Sequence, residues 1–242
     1  MARFNYIGDR AESQRLQVAA YTSNRSLLRP PSGVSIVKLS IVSKGRIERI
    51  KEWIKDYDDY EQLNIAVSDI LTRLSFGTQW DRFEQALNDL SGALGFKGER
   101  PDKVWKEGPD NLWALDDTNY ILWECKSEVD IARSEINKRE AEQMNRSCAW
   151  FGKNYAGSKV KRVLIHPTRT VQKAAAFTHE INIMDKSTLP QFVKAARQFF
   201  SSFETVDFHD LSENHIQKVI DDNKLSVIEL FKGYTKAPRV LK

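Results

Sequence analysis

The chain has 242 residues, a formal net charge of +4 and 41% hydrophobic residues. It is long enough for one sizeable domain, or for one domain with an added segment, and has the apolar content for a real core. No apolar run approaches the ~18 residues of a membrane span, and the start Met1-Ala2-Arg3-Phe4-Asn5 lacks the basic-then-apolar order of a signal peptide. The two cysteines, Cys125 and Cys148, show no metal or redox spacing, so a reduced, cytoplasmic compartment is the expectation. A mild excess of cations permits a polyanionic partner without demanding one.

In chain order, Arg10 to Tyr21 reads as a short helix, and the Pro/Ser/Gly cluster Leu28 to Gly33 as a linker. Val34 to Val42 has β-branched, strand-like character. Ile47, Ile50, Ile54 and then Leu63, Val67, Ile70, Leu74 recur at helical spacing, so two helices are expected with Asp56 to Tyr60 as connector. A boundary falls at Phe76-Gly77-Thr78. Thr78 is the expected N-cap of a helix running to Leu94, with Trp80, Phe83, Leu87, Leu90 and Leu94 inward and Gly95 as C-cap. Lys97 to Lys106 reads as a charged loop. Asn111 to Leu115 and Tyr120 to Lys126 read as strands joined by a turn at Asp116 to Asn119. A helix from Ser134 to Phe151, strands at Val160 to His166 and Ile181 to Met184, and a helix from Leu189 to Phe203 follow. The expected fold class is α/β (α+β), a mixed β-sheet flanked by helices. The expected division is a mostly helical adaptor over 1–76, a core domain over 77–204, and an extension over 205–242 whose basic tail, Lys232 to Lys242, is expected to be disordered.

The chemistry concentrates in two phrases, Gly108-Pro109-Asp110 and Trp123-Glu124-Cys125-Lys126. Strand side chains alternate faces, so Leu122, Glu124 and Lys126 share one side while Ile121, Trp123 and Cys125 share the other. Paired antiparallel, the two strands bring Asp110 close to Glu124. Two carboxylates suit a hard cation such as Mg²⁺. A lysine beside it orients a water, its pKa lowered by the cation. The competing reading of Glu124 and Lys126 is a solvated charge pair on a strand face. Asp110 upstream and the apolar alternation behind favour a metal site.

These residues resemble the PD-(D/E)xK, or restriction-endonuclease-like, nuclease superfamily over roughly Thr78 to Phe203. Pro109-Asp110 is similar to its PD element and Glu124-Cys125-Lys126 to its (D/E)xK element. The resemblance implies a restriction-endonuclease-like fold and a Mg²⁺-dependent endonuclease, with Mn²⁺ as a substitute, hydrolysing phosphodiesters in DNA. It implies Asp110, Glu124, the Cys125 backbone carbonyl and Glu84 as metal ligands, with Lys126 and Gln143 completing the catalytic set. Glu84 is equally open to a structural ion pair, and Gln143 to capping a sheet carbonyl.

The phrases Trp80-Asp81-Arg82-Phe83-Glu84, Gly108-Pro109-Asp110 and Gln143-Met144-Asn145 also resemble nuclease domains associated with bacterial superfamily 2 helicases, in mobile-element, restriction or phage-defence settings. A fused or partner helicase is therefore implied, and a homodimer is what duplex cutting by the restriction-endonuclease-like fold implies. The chain itself has no Gly-x-x-x-x-Gly-Lys-Ser/Thr motif. The alternative is a non-catalytic nucleic-acid-binding or interaction module of a larger helicase complex. Lys97, Arg100, Lys103, Lys106, Lys138 and Arg139 surround the site, and of these Lys103, Lys106, Lys138 and Arg139 are the candidates to track a phosphate backbone, unless they are simply solvated charges. Trp105 and Trp113 flank the site. Both base stacking and core packing are open to them, core packing being the better fit for Trp113. His166, His179, His209 and His215 match no zinc-ligand spacing.

Overall fold

The computed structural model describes residue 6 and residues 8–30, 35–40 and 45–240. The fold is mixed α/β, a mixed sheet between helical layers. Helix α1 (Arg10–Ser23) is capped by the Asp9 carboxylate accepting from the Glu12 N–H. Helices α2 (Arg46–Lys55) and α3 (Tyr60–Thr72) flank the expected acidic connector, with Asp59 capping α3. Helix α4 (Trp80–Ala93) carries Phe83, Ala86, Leu87 and Leu90 on its buried face. Its cap is Gln79, whose side chain accepts from the Arg82 N–H at 3.2 Å, and not Thr78; the Thr78 hydroxyl lies against that of Ser75 instead. Trp80, expected inward, is 50% exposed, because it is the first residue of α4 and precedes the stripe begun by Phe83.

The stretch read as a charged loop is ordered. It forms strand β1 (Lys97–Glu99) and the short helix α5 (Pro101–Trp105), started by a proline where no N–H is needed. Strands β2 (Asn111–Ala114) and β3 (Asn119–Cys125) form the expected hairpin. The Asp116 carboxylate closes it by accepting from the Thr118 and Asn119 N–H groups.

Helix α6 (Lys138–Asn154) begins four residues later than expected, because Asn137 and Glu140 form a reciprocal capping box. Strands β4 (Lys159–Ile165), β5 (Thr170–Val171) and β6 (Asn182–Met184) and helix α7 (Leu189–Ser201) follow. After them come a 3₁₀ turn at Phe208–Asp210, helices α8 (Glu213–Asp222) and α9 (Val227–Gly233), and strand β7 (Arg239–Val240).

The sheet order is β1-β2-β3-β4-β6. The first three strands are antiparallel neighbours; β3, β4 and β6 run parallel, with α6 as the crossover from β3 to β4. Alternation along β3 is as expected, and both faces are buried. Trp113, Ile121, Trp123, Cys125, Val163 and Ile165 face the cluster built with α2, α3, α4 and α7. Leu112, Tyr120, Leu122 and Leu164 face α6 through Met144, Cys148 and Phe151. Burial of each large apolar side chain contributes about 1.5–3 kcal/mol. Ile50 and Ile54 of α2 and Ile216, Val219 and Ile220 of α8 share the cluster of α4 and α7.

Two further expectations are corrected. Residues 35–40 take no strand structure, and Val34, Ile41 and Val42 lie outside the described residues, as do Pro31, Ser32 and Gly33. The Leu39 N–H donates to the Tyr155 hydroxyl and the Leu39 carbonyl accepts from the Tyr120 hydroxyl, each at 2.9 Å, so side chains take the place of a neighbouring strand. The basic tail is ordered through Val240. Lys236 exchanges both backbone hydrogen bonds with Ile183, and β7 pairs with β5.

Candidate active site

Asp110 is placed by the turn before it. Gly108 has φ of 103°, and a Cβ there would meet the Trp150 ring and the Pro101 side chain at 2.9 Å, so only glycine fits. With Asn111 opposite Trp123 in the hairpin, Asp110 falls just beyond the ladder. Its Oδ2 accepts a hydrogen bond from the Cys125 N–H at 2.6 Å. The Lys126 Nζ lies 3.9 Å from the same oxygen and 3.5 Å from Glu124 Oε2, and donates to the Cys125 carbonyl at 3.2 Å. The Lys126 N–H donates to the Ile165 carbonyl at 2.9 Å, which ties the ammonium-bearing residue to β4.

Glu124 is fully buried. Its Oε1 accepts from the Ser147 hydroxyl of α6 at 2.9 Å, which leaves Oε2 for Lys126. Glu84 comes from α4, and its backbone carbonyl accepts from the Asn111 side-chain amide at 3.0 Å, which joins α4 to β2. The Glu84 carboxylate accepts from Arg100, and Arg100 also pairs with Asp81 at 2.9 Å.

One carboxylate escaped the sequence reading. Asp102, in the first turn of α5, donates its N–H to the Pro109 carbonyl at 3.3 Å, which holds it beside Asp110. Oxygens of Glu84, Asp102 and Asp110 all lie within 4.8 Å of one another, and Asp102 Oδ1 is buried with no hydrogen-bond partner among the described residues.

The electrostatics follow from this crowding. Burial, then Asp110 and Asp102, push the Glu84 pKa up to about 9 against the pull of Arg100. Burial, then Asp110, raises Asp102 to about 6. Burial raises Asp110, with Lys126 and the Cys125 N–H opposing it. Burial and Asp110 raise Glu124 to about 8. Burial pulls Lys126 down, but Glu124 and Asp110 more than offset it and its pKa lies above the ordinary lysine value. The lowered pKa expected for a lysine beside a cation is therefore not a property of the protein alone.

Glu84, Asp102, Asp110, the Cys125–Lys126 edge and Gln143 of α6 line one pocket of about 520 Å³; Glu124 stands behind its wall. Glu128 and Asp130 add further carboxylates to the lining, against the cations Lys126 and Arg133. When ionised, such a lining attracts a cation, and a bound cation in turn offsets its repulsion of a phosphate. A set of crowded oxygen donors, one without a partner, fits a hard divalent ion of the Mg²⁺ or Mn²⁺ type.

The flanking basic residues sit less centrally. Lys103 pairs with Asp81 at 3.1 Å, Lys106 with Asp9 at 2.7 Å and Lys138 with Glu142 at 3.7 Å; Arg139 is exposed. Surface pairs of this kind are worth about 0–1 kcal/mol. Arg100 belongs to the carboxylate cluster instead. Trp105 and Trp113 are buried and cannot stack on an incoming ring. No protein-family model matches the chain, and no curated protein matches its sequence.

Proposed function

We propose that the protein is a metal-dependent nuclease of the restriction-endonuclease-like type that hydrolyses phosphodiester bonds in DNA. The observation that carries this reading is the convergence of Asp110, Glu84 and Asp102 on one pocket edge, with the Lys126 ammonium 3.9 Å from Asp110. Glu84, Asp102 and Asp110 would hold the ion, with the Cys125 carbonyl beside them, while Glu124, expected from the sequence as a ligand, lies behind the pocket wall and holds Lys126 instead. When bound, a Mg²⁺ or Mn²⁺ ion supplies neutralising charge at the phosphate and an acidified water.

The chain's own groups do the rest. Without a metal, Glu124 and Asp110 keep the Lys126 Nζ protonated, which suits it to donate a hydrogen bond to the attacking water or a phosphate oxygen. Ser147 fixes the Glu124 carboxylate, which in turn fixes the Lys126 ammonium. Gln143 offers an amide to orient the phosphate from the α6 side.

The test is cleavage of DNA with Mg²⁺, with EDTA as control, by the wild type and Asp110→Ala. Losing the carboxylate removes several kcal/mol of transition-state stabilisation, so a rate loss of roughly 100-fold or more is expected. Undiminished cleavage by Asp110→Ala, or cleavage in EDTA, contradicts the reading.

A further inference from the structure

We propose that Trp80 is a base-stacking platform and that the pocket receives an unpaired nucleotide, which makes single-stranded DNA the substrate. The inference rests on the nuclease reading above and adds the form of nucleic acid. Trp80 opens α4 four residues before Glu84, so the indole lies one helical turn from a carboxylate of the cluster. It lines the same pocket as Asp110 and Lys126.

Its surroundings set it apart from the other tryptophans. Trp105, Trp113, Trp123 and Trp150 are buried, and Trp53 packs against Tyr57 and Phe200. Trp80 is 50% exposed, and among the described residues no ring or cation covers either of its faces. A large apolar side chain left open beside a polar pocket forgoes burial that the fold grants to its other indoles.

A cation for the phosphate shares the lining. Arg133 Nη1 donates to Glu140 Oε1 at 2.6 Å, while its side chain remains 39% exposed. Glu140 is itself held by the N-cap Asn137, whose N–H donates to its Oε2 at 2.8 Å, and the buried His166 Nε2 lies 3.5 Å from the same oxygen. The guanidinium is thus oriented by a fixed carboxylate, with N–H groups left for a phosphate oxygen.

The geometry selects against a duplex. Inside a double helix both faces of each base are covered by neighbouring bases, so an indole can stack only on a base that is unpaired or displaced. Stacking of this kind tolerates any sequence, because every base has a π-face.

The experiment measures binding of a fluorescein-labelled oligothymidylate and of a blunt, fully paired two-strand duplex of equal length, with Ca²⁺ in place of Mg²⁺. Wild type, Trp80→Ala and Trp80→Phe are compared. The wild type is expected to hold the single strand about tenfold more tightly than the duplex, Trp80→Ala to lose roughly tenfold on the single strand alone, and Trp80→Phe to retain most of the affinity. Equal single-strand binding by wild type and Trp80→Ala, or a preference for the duplex, overturns the proposal. The two readings fail separately. Mg²⁺-dependent cutting that is lost in Asp110→Ala but indifferent to Trp80→Ala removes only the stacking subsite, whereas undiminished cutting by Asp110→Ala removes the nuclease reading itself.

Discussion

The Asp110 carboxylate accepts a hydrogen bond from the Cys125 backbone N–H at 2.6 Å, and this contact clips the start of β2 to the end of β3. Asparagine preserves the acceptor and removes the charge. Because burial raises the Asp110 pKa, the ionised side chain costs the metal-free fold stability. Asp110→Asn is therefore expected to melt higher than wild type in EDTA at pH 8, by ~2–4 °C for each 1 kcal/mol relieved, and to lose the stabilisation that Mg²⁺ gives. A lower melting temperature with an intact Mg²⁺ response contradicts this.

The carboxylate cluster also sets a pH dependence. Glu84, Glu124 and Asp102 have folded pKa values of about 9, 8 and 6, above the ordinary carboxylate range. Their contribution is complete below the unfolded values and is lost as pH rises through the folded ones. In EDTA the melting temperature should fall from mildly acidic toward alkaline pH. Saturating Mg²⁺ should shrink that fall, since it binds the ionised forms. Calorimetry over this range decides the matter, and a flat profile, identical with and without Mg²⁺, would count against a carboxylate cluster of this kind.

Gly108 gives a test that touches no charged group. Gly108→Ala forces a side chain onto a backbone with φ of 103° and into contact with Trp150. A destabilisation of about 1–3 kcal/mol is expected in urea unfolding. Asp110 lies two residues on, so the Mg²⁺-dependent rise in melting temperature should weaken as well. Wild-type stability in Gly108→Ala would show that the turn has room to spare.

Much of this was legible in the sequence because local rules decide it. The hairpin β2–β3 follows from alternation and the Asp116 turn, and the separation of Glu124 from Cys125 follows from the pleat. What stayed hidden depends on distant partners. Asp102 joins Asp110 only because its N–H reaches the Pro109 carbonyl, and Glu84 meets Arg100 only because α4 packs beside β1. The three residues of β1 are too few to display a period. Trp80 fits the helical spacing that Phe83 and Leu87 continue, and only the start of the helix leaves it outside. Ile216, Val219 and Ile220 of α8 do carry helical spacing, so that part of the fold was readable and went unread.

Asp185 ties the turn before α7 to Lys236 near the C-terminal strand. Its Oδ1 accepts from the Ser187 and Thr188 N–H groups, and Lys236 approaches its Oδ2 at 3.3 Å. Burial opposes ionisation, but these donors prevail and lower the pKa. A depressed pKa contributes stability above the unfolded value that is lost as pH falls through the folded one. Asp185→Ala should cost about 1–2 kcal/mol in urea unfolding at neutral pH, and less at pH 3. An equal cost at both pH values would show that the ionised form is not what matters.

Lys126 stands among these carboxylates as the proposed donor to the reacting group. Single-turnover cleavage of single-stranded DNA by Lys126→Ala in Mg²⁺, read alongside calorimetric Mn²⁺ binding, isolates that role. Mn²⁺ is expected still to bind while the cleavage step slows roughly 100-fold or more, because the donor to the developing charge is gone. Cleavage by Lys126→Ala at the wild-type rate would contradict it.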